Sequence, residues 1–378
     1  MGTGRPLLSA AIISKNEERF IGACLESITG FVDEIVVVDT GSTDATVEIA
    51  RAGGALVHSY PWNGNFSNAR NRSLELATGE WILYIDCDEQ LVASKSDVVA
   101  ARRLLATSTQ TVAFRVLFST IVGNTPYREY RMWRHRPDIR FHGVIHETIV
   151  SDLRRINRVE GLAIDPIDVM LQHYGYEGDQ RRKHERNLPL LHAQLLNDPR
   201  RVYLWWHLGV VQAALGMNDE ALASWRHGVE IVREDGWKSQ TDLLAVSELA
   251  FRLAVTGLPV ADLVELGLAY DPECHTLTVV DLIVAVREKR ADDVECLAER
   301  LLAAGRVGVQ SNTLSYPQRF FDTIPWKALA ESRWERGDIV GAAAAYRELV
   351  FLEPGDLEYR TKAAAAGAAG AARTTVSG

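Results

Sequence analysis

The chain of 378 residues has few cysteines, no long hydrophobic run and no excess of positive charge. Its four cysteines (Cys24, Cys87, Cys274 and Cys296) include no closely spaced pair, so they indicate neither a zinc site nor a disulfide framework. No run of about 18 apolar residues is present, and the N-terminus reaches an apolar segment without a signal-peptide pattern. We therefore expect a cytoplasmic, reduced protein with no integral membrane segment.

The net charge of -9 does not favour binding to a nucleic-acid backbone or to an anionic membrane. One stretch departs from this balance, because eight arginines stand against four acidic residues between Arg128 and Arg158. Such a stretch is either a solvated face or a surface that meets a phosphate-bearing ligand. Under the second interpretation, Arg134 is a candidate phosphate or acceptor contact.

Short apolar runs alternate with helical patterns over the first 90 residues. This alternation predicts an α/β fold, with a mostly parallel sheet covered by helices on both faces. The strands are predicted at 7–13, 34–39, 55–58 and 80–86, and two of the helices at 17–29 and 68–77. Ligands of such sheets bind outside the carboxyl ends of the strands, which places residues 14–17, 39–44 and 86–88 on one edge.

Beyond residue 90, we expect a strand pair at 111–122, irregular structure at 127–149 and a last short strand at 168–174. From Arg181 onward the strand signals stop, and two segments match the helix-turn-helix pattern of tetratricopeptide repeats. The matching positions are Trp205, Leu208, Gly209, Ala221 and Trp225 in one segment, and Trp326, Leu329, Ala330, Ala342, Tyr346 and Pro354 in the other. The predicted domains are a catalytic domain at 1–180, an all-α repeat domain at 181–362 and a frayed tail at 363–378.

The central motif is Asp86-Cys87-Asp88, directly after an apolar strand. Two carboxylates one residue apart suit a hard divalent cation such as Mg²⁺ or Mn²⁺, which neutralises a departing diphosphate. The bare pattern is also found in turns that cap a strand. Its context decides between the two interpretations.

Three motifs accompany the acidic pair: IISKNEE at 12–18, VDTGSTDAT at 38–46 and SNARN at 67–71, with ATGEWILYID at 77–86 leading into the pair itself. With these motifs in this order, residues 7–175 resemble family 2 glycosyltransferases of the GT-A fold. The resemblance implies transfer of a sugar, with inversion, from a nucleotide diphosphate sugar, and UDP is the favoured nucleotide.

The resemblance also implies roles for individual residues. Asp39 and the turn at 15–17 would hold the base and ribose, Arg70 would approach the phosphates unless it forms an ion pair, and Asp86 would bind the ribose or sugar. The complete donor-binding set is Ser14, Lys15, Asn16, Glu17, Asp39, Ser42, Asn68, Arg70, Asp86 and Cys87. We interpret Cys87 as a packing residue, not a nucleophile.

The implied metal ligands are Asp88, with Asp86, and His173, for which a purely structural role is equally compatible. In the segment FHGVIHE at 141–147, Glu147 occupies the position of the general base, the alternative being a buried ion pair with an arginine. His146 and Trp62 are candidates for contacts with the acceptor, the phosphates or the donor.

The order of the domains resembles bacterial peptide glycosyltransferases that modify bacteriocin-type precursors, so we expect a peptide acceptor modified on Ser, Thr or Cys. One alternative is an enzyme of cell-envelope glycan or lipopolysaccharide-core synthesis. Another is a catalytically inactive repeat scaffold. The repeats are further candidates for a homodimer surface, for example through Trp205 and Trp206.

Overall fold

The computed structural model describes residues 4–120, 123–175, 180–308 and 314–376. Within these ranges, eight strands form one sheet in the order β3-β2-β1-β4-β7-β6-β8-β5. The strands are β1 (Leu8–Ser14), β2 (Glu34–Asp39), β3 (Leu56–Ser59), β4 (Trp81–Tyr84), β5 (Glu89–Val92), β6 (Thr111–Thr120), β7 (Tyr127–Arg134) and β8 (Ala163–His173).

The sheet is mixed. Strands β3, β2, β1 and β4 run parallel, as the alternating pattern predicts, and β6 is also parallel to β8. Strand β7 is antiparallel to both β4 and β6, and β5 is antiparallel to β8. Since the carboxyl ends of β1, β2 and β4 lie at one edge, the loops that follow them come together there.

Fifteen α-helices are present in the described ranges. They are α1 (Ile21–Ile28), α2 (Thr46–Ala52), α3 (Phe66–Leu76), α4 (Lys95–Thr107), α5 (Val150–Glu160), α6 (Arg181–Asn197), α7 (Val202–Ala214), α8 (Asn218–Asp235), α9 (Leu243–Val255), α10 (Ala261–Tyr270), α11 (His275–Arg287), α12 (Ala291–Val307), α13 (Thr323–Glu335), α14 (Ile339–Leu352) and α15 (Leu357–Val376).

Helices cover both faces of the sheet, and the alternation of side chains along β1 shows how. Leu8, Ala10 and Ile12 belong to a buried cluster that includes residues of α1, α2 and α4. Ala11 belongs to a second cluster, which includes residues of α3 and α5. Because successive strand residues point to opposite faces, a strand apolar at every position is buried on both sides. The predicted fold class is confirmed.

The middle of the chain differs from the prediction. The segment 111–122, expected to hold two strands, forms the single strand β6, although residues 121 and 122 lie outside the described part. The segment 127–149, expected to be irregular, begins with β7, whose sequence YREYRMWR does not resemble a buried strand. Arg131 within it is nevertheless buried, because three carboxylates surround it. The hydrophobicity pattern missed this strand because its buried charged residue is stabilised by ion pairs, which the pattern does not reveal.

The chain divides into two compact units, and the division falls within α8, after Ala221. The first unit contains the sheet together with α6 and α7, which the sequence pattern assigned to the repeat domain beginning at residue 181. The second contains the remaining helices and the short segment Gly123–Thr125. Domain limits at 180 and 362 stay a prediction.

In the second unit, α13 and α14 form the helical hairpin predicted from the repeat pattern. Leu329, Ala330, Ala342 and Tyr346 are all buried in it. Helix α15 continues to Val376, so the predicted tail is largely helical in this structure. Its alanine-rich composition accounts for the difference, since alanine has the highest helix propensity of the amino acids.

Trp205 and Trp206, the residues of the predicted self-association surface, are only partly exposed. Trp205 packs against a cluster from α6 and α7, and its indole Nε1 donates to the Pro199 carbonyl at 2.8 Å. Dimerisation stays a prediction.

Candidate active site

The loops after β1 and β2 are joined by hydrogen bonds centred on Asp39. Its carboxylate accepts from the Ser14 hydroxyl at 3.1 Å, from the Ser42 hydroxyl at 2.5 Å, and from the backbone N–H groups of Gly41 and Ser42 at 3.0 and 2.9 Å. Burial by itself would raise the pKa of Asp39, but these hydrogen bonds lower it. The four bonds fill the acceptor positions of a carboxylate, so Asp39 shapes the loop in this structure.

The turn at 15–17 completes this edge. Asn16 has a left-handed backbone, with φ of 56°, and its side-chain oxygen accepts from the Thr43 N–H at 2.8 Å. The Lys15 ammonium donates to the Gly41 carbonyl. The turn therefore keeps its shape through its partner loop, and Glu17 lies beside the acidic pair.

Glu17, Asp86 and Asp88 form a group of like charges. Burial raises the pKa of Glu17 to about 7, and Asp88, Asp86 and Asp44 contribute to the increase. Carboxylates held this close repel one another, and a proton or a bound cation relieves the repulsion. This edge of the sheet is therefore favourable for a cation.

Asp88 faces His173, at the end of β8. The Asp88 Oδ2 and His173 Nε2 atoms are 3.2 Å apart, and the Gly175 N–H donates to His173 Nδ1 at 3.1 Å. Gly175 packs so closely here that a β-carbon at this position would lie 1.9 Å from Asp88 Oδ2. Only glycine therefore permits this approach of the backbone.

The Asp88 and His173 pair passes a simple test for a divalent ion. Two neighbouring ligands of an octahedral ion, with bonds of about 2.1 Å, stand roughly 3 Å apart, so the observed 3.2 Å fits an ion as well as it fits the direct hydrogen bond between the two side chains. Among the described residues, no three His, Cys, Asp or Glu side chains are arranged to hold a metal together. Substrate phosphates and water would complete the coordination, as is usual for Mg²⁺.

Arg70 connects the acidic pair to the predicted base. From α3, its guanidinium donates to Asp86 Oδ1 at 2.9 Å and, through Nε, to Glu147 Oε1. It stacks on the Tyr84 ring, with 4.2 Å between Cζ and the ring centre. The buried ion pair considered for Glu147 is thus formed, and the pair of Arg70 is buried instead of lying on the surface. Asp86 Oδ1 is held by Arg70, and its role as a metal ligand stays a prediction.

Beneath Asp86 lies a second buried ion pair, which the sequence reasoning missed. Arg131 makes two hydrogen bonds to Glu89, at 2.8 and 3.2 Å, and lies 4.0 Å from Asp86 Oδ2. The Glu89 carboxylate also accepts from the Asp86 N–H at 3.0 Å. Burial would raise the pKa of Asp86, but Arg70 and Arg131 lower it. Asp86 is thus an ionised, positioned carboxylate.

The segment 141–147 is attached to α3 and α6. Asn71 exchanges two hydrogen bonds with the Phe141 backbone, at 2.8 and 2.9 Å. The Ser67 hydroxyl donates to the Gly143 carbonyl at 2.6 Å, and the Gln194 side chain accepts from the Val144 N–H at 2.6 Å. These bonds fix the segment that carries Glu147.

Helix α6 also brings two basic side chains to this unit, which the sequence analysis did not single out. Lys183 is close enough to Glu17 to oppose the rise of its pKa. Arg186 likewise senses the charge of Glu17. The basic run RRK at 181–183 was the available signal for Lys183.

Other predicted site residues lie elsewhere or have local roles. Arg134 is a correction, because β7 is antiparallel to β4 and its last residue pairs with Trp81, at the opposite end from Asp86. Asn68 lines a separate cavity of about 370 Å³ with Asn71 and other residues, since positions 68 and 70 of a helix are about 200° apart. Trp62 packs edge-on against Phe66 with ring centres 4.7 Å apart.

Cys87 is buried, and its thiol lies 3.3 Å from the Ile13 carbonyl. Burial raises the pKa of this thiol well above its ordinary value, with Cys24 and Glu17 adding to the increase. A neutral, buried thiol is a poor nucleophile. The structure agrees with a packing role.

Residues 9–141 match the family model described as Glycosyl transferase family 2. The chain carries a family 2 glycosyltransferase domain. It is 36% identical over 217 residues to a TPR repeat-containing protein of Synechococcus elongatus, covering 55% of this chain and 53% of that protein. It is 28% identical over 224 residues to the glycosyltransferase SunS of Bacillus subtilis, covering 57% of this chain and 52% of that one. The chain thus spans about half the length of these relatives.

Among solved structures, the domain is similar to glucosyl-3-phosphoglycerate synthase from Mycobacterium tuberculosis, with a TM-score of 0.36 and 20% identity. That match covers 50% of this chain and 79% of the other. The predicted combination of a family 2 glycosyltransferase domain with repeat helices is confirmed. Within the described ranges, we find no helix with the length and apolar character needed to cross a membrane.

Proposed function

We propose that the protein is an inverting glycosyltransferase that transfers a sugar from a UDP-sugar to a Ser, Thr or Cys side chain of a peptide. One observation carries the proposal: Arg70 joins Asp86, from the acidic pair, to Glu147, the candidate base, in one buried network. The Arg70 guanidinium therefore holds Asp86, proposed to contact the sugar donor, close to Glu147, proposed to deprotonate the acceptor. A reaction between two bound substrates needs these two groups near each other.

Glu147 is the proposed general base. Its Oε1 atom accepts from Arg70, which leaves Oε2 to take the proton of the acceptor. The acceptor oxygen or sulfur then forms a bond to the anomeric carbon, while the bond from that carbon to the diphosphate oxygen breaks. Because attack and departure occur on opposite faces of the sugar, the configuration inverts. General-base catalysis of this kind contributes about 10²–10⁴-fold.

Asp88 and His173 are the proposed protein ligands of Mn²⁺ or Mg²⁺. A bound divalent ion would neutralise the charge of the departing diphosphate. Asp86 would orient the sugar or ribose, since its carboxylate is held by Arg70 and Tyr84. Asp39 and the turn at 15–17 would shape the base pocket.

A peptide acceptor is proposed because the second unit contains stacked helical hairpins, whose surfaces suit extended peptides. A cytoplasmic location fits a precursor peptide and stays a prediction. The test described next also distinguishes the peptide acceptor from a glycan acceptor and from an inactive scaffold.

The test measures UDP release from a panel of UDP-sugars, with Mn²⁺ or Mg²⁺, in the presence and absence of a peptide pool containing Ser, Thr and Cys. Glu147→Gln keeps an oxygen for Arg70 but removes the base, so transfer should fall at least about 100-fold while donor binding persists. Asp88→Asn should abolish metal-dependent turnover. The control is Asp168→Asn, because that side chain is 96% exposed.

Complete absence of donor turnover by the wild-type protein would support the scaffold alternative. Full activity of Asp88→Asn would remove the metal assignment. Transfer to oligosaccharides but not to peptides would replace the peptide acceptor with a glycan.

A further inference from the structure

Three histidines of the first compact unit lie near one another, and one of them is the neighbour of Glu147 in the sequence. His146 directly precedes Glu147, while His184 lies on α6 and His207 on α7. The rings of His146 and His207 have centres 3.6 Å apart. His184 is near enough to His207 to affect its protonation. Neither His184 nor His207 has a role in the proposed reaction.

Each of these rings has a buried nitrogen without a hydrogen-bond partner among the described residues. The atoms are His146 Nε2, His184 Nδ1 and His207 Nδ1. Buried polar atoms are nearly always hydrogen-bonded, and a bound water, ion or ligand can supply the partner for an exception. Three exceptions in one place indicate a group that binds there.

The rings are uncharged at neutral pH. Burial, His207 and Arg201 lower the pKa of His146 well below its ordinary value. Burial, with His184 and Lys183, lowers the pKa of His207 to about 4. A neutral imidazole has one N–H donor and one lone pair. These rings therefore suit a small uncharged group that both donates and accepts a hydrogen bond.

The backbone supports a functional role for His146. Its φ of 50° lies in the left-handed region, and the Arg201 guanidinium donates to its carbonyl at 3.3 Å. Residues other than glycine adopt this region at an energetic cost, and such strain is concentrated at functional sites. Tyr203 adds an aromatic wall, with its ring centre 5.8 Å from that of His146.

We propose that His146, His184 and His207 form an acceptor subsite, which holds the hydroxyl or thiol of the acceptor side chain beside Glu147. The inference rests on the proposed function and specifies its substrate. The three ring nitrogens can serve one small polar group, whereas a sugar ring carries several hydroxyls that would each need a partner. Helices α6 and α7 thus contribute directly to the reaction site.

The experiment follows the ring nitrogens of the full-length protein, labelled with ¹⁵N-histidine, by NMR. Ser, Thr and Cys are each added as the N-acetyl amide, and N-acetyl-alaninamide is the matched ligand without a hydroxyl or thiol. The Ser, Thr or Cys amide should shift the resonances of His146 and His207, and the alanine amide should not. His207→Phe, which keeps a ring but removes both nitrogens, should weaken binding about 3–10-fold.

The control variant is His275→Phe. His275 also has a buried Nδ1 without a partner among the described residues, but it belongs to the second unit. Its replacement should leave the shifts unchanged. Equal responses to the alanine and serine amides, or loss of binding in His275→Phe as well, would overturn the inference, as would shifts caused by methyl glucoside alone.

UDP release is measured on the same sample. Turnover of the donor without histidine shifts would refute the subsite while leaving the proposed function in place. Shifts without any donor turnover would refute the proposed function and leave a hydroxyl- or thiol-binding site. The wild-type titration answers the question even if His207→Phe does not fold.

Discussion

Replacing Arg70 by methionine should destabilise the first unit by an amount that depends on pH. Arg70 is the shared partner of Asp86 and Glu147, and the side chains of Arg70 and Glu147 are 8% and 10% exposed. Methionine keeps an apolar stem against Tyr84 but removes the charge. Two carboxylates then remain in a poorly solvated site with one guanidinium fewer.

The magnitude follows from the remaining charges. Loss of one partner of a buried ion pair typically costs about 3–5 kcal/mol. Arg131, within 4.0 Å of Asp86, still compensates part of that charge, so we expect the lower end, about 3 kcal/mol. Whole domains are stable by only about 5–15 kcal/mol, so this change should be large enough to measure.

The pH dependence has a definite sign. Arg70 helps to lower the pKa of Asp86, so the pair stabilises the folded protein above the unfolded pKa, and this contribution is lost as pH falls through the folded pKa. In Arg70→Met, Asp86 takes up a proton more readily, which relieves the repulsion. The deficit should therefore be largest near pH 7.5 and shrink toward pH 4.5.

Urea unfolding followed by tryptophan fluorescence measures the effect at both pH values. The matched control is Arg72→Met on the same helix, whose pair with Glu75 is 3.2 Å long between side chains 45% and 46% exposed. That control should cost about 0.5 kcal/mol or less. Equal losses in the two variants, or a deficit in Arg70→Met that grows toward acid pH, would refute the reasoning.

Two further predictions concern the acidic edge. Because folding raises the pKa of Glu17 from 4.5 to about 7, stability should fall as pH rises from about 4.5 to 7. In EDTA, urea titrations should find Glu17→Gln about 1–2 kcal/mol more stable than wild type at pH 8, after allowance for solvent screening, and within about 0.5 kcal/mol of wild type at pH 4.5. Gly175→Ala should lower Mn²⁺ affinity at least about 10-fold by calorimetry, since the added carbon would lie 1.9 Å from Asp88 Oδ2, whereas Gly355→Ala, with nothing within 4 Å, should not. A metal affinity unchanged in Gly175→Ala would remove Asp88 and His173 as ligands.

Local sequence patterns predicted much of the fold. Strand β2 was predicted at its observed bounds, because a short apolar run between polar residues is typical of a buried strand in an α/β protein. Strand β7 was missed because its arginines look solvent-facing until Glu89, Glu129 and Asp86 are placed around Arg131. A hydrophobicity pattern therefore identifies buried apolar residues, but it does not identify charged residues that are buried in ion pairs.

By itself, the sequence determined the alternation of strands and helices, the acidic pair at the end of β4, and the helical repeats. These are properties of short segments, set by periodicity and turn chemistry. The tertiary structure alone decided which distant groups meet. Arg70 reaches Asp86 and Glu147, which are 16 and 77 positions away, and His146 meets His207 on α7. The structure also places Arg134 beside Trp81, at the end of β4 away from Asp86. Strand direction and helix packing set these distances, and spacing along the chain does not.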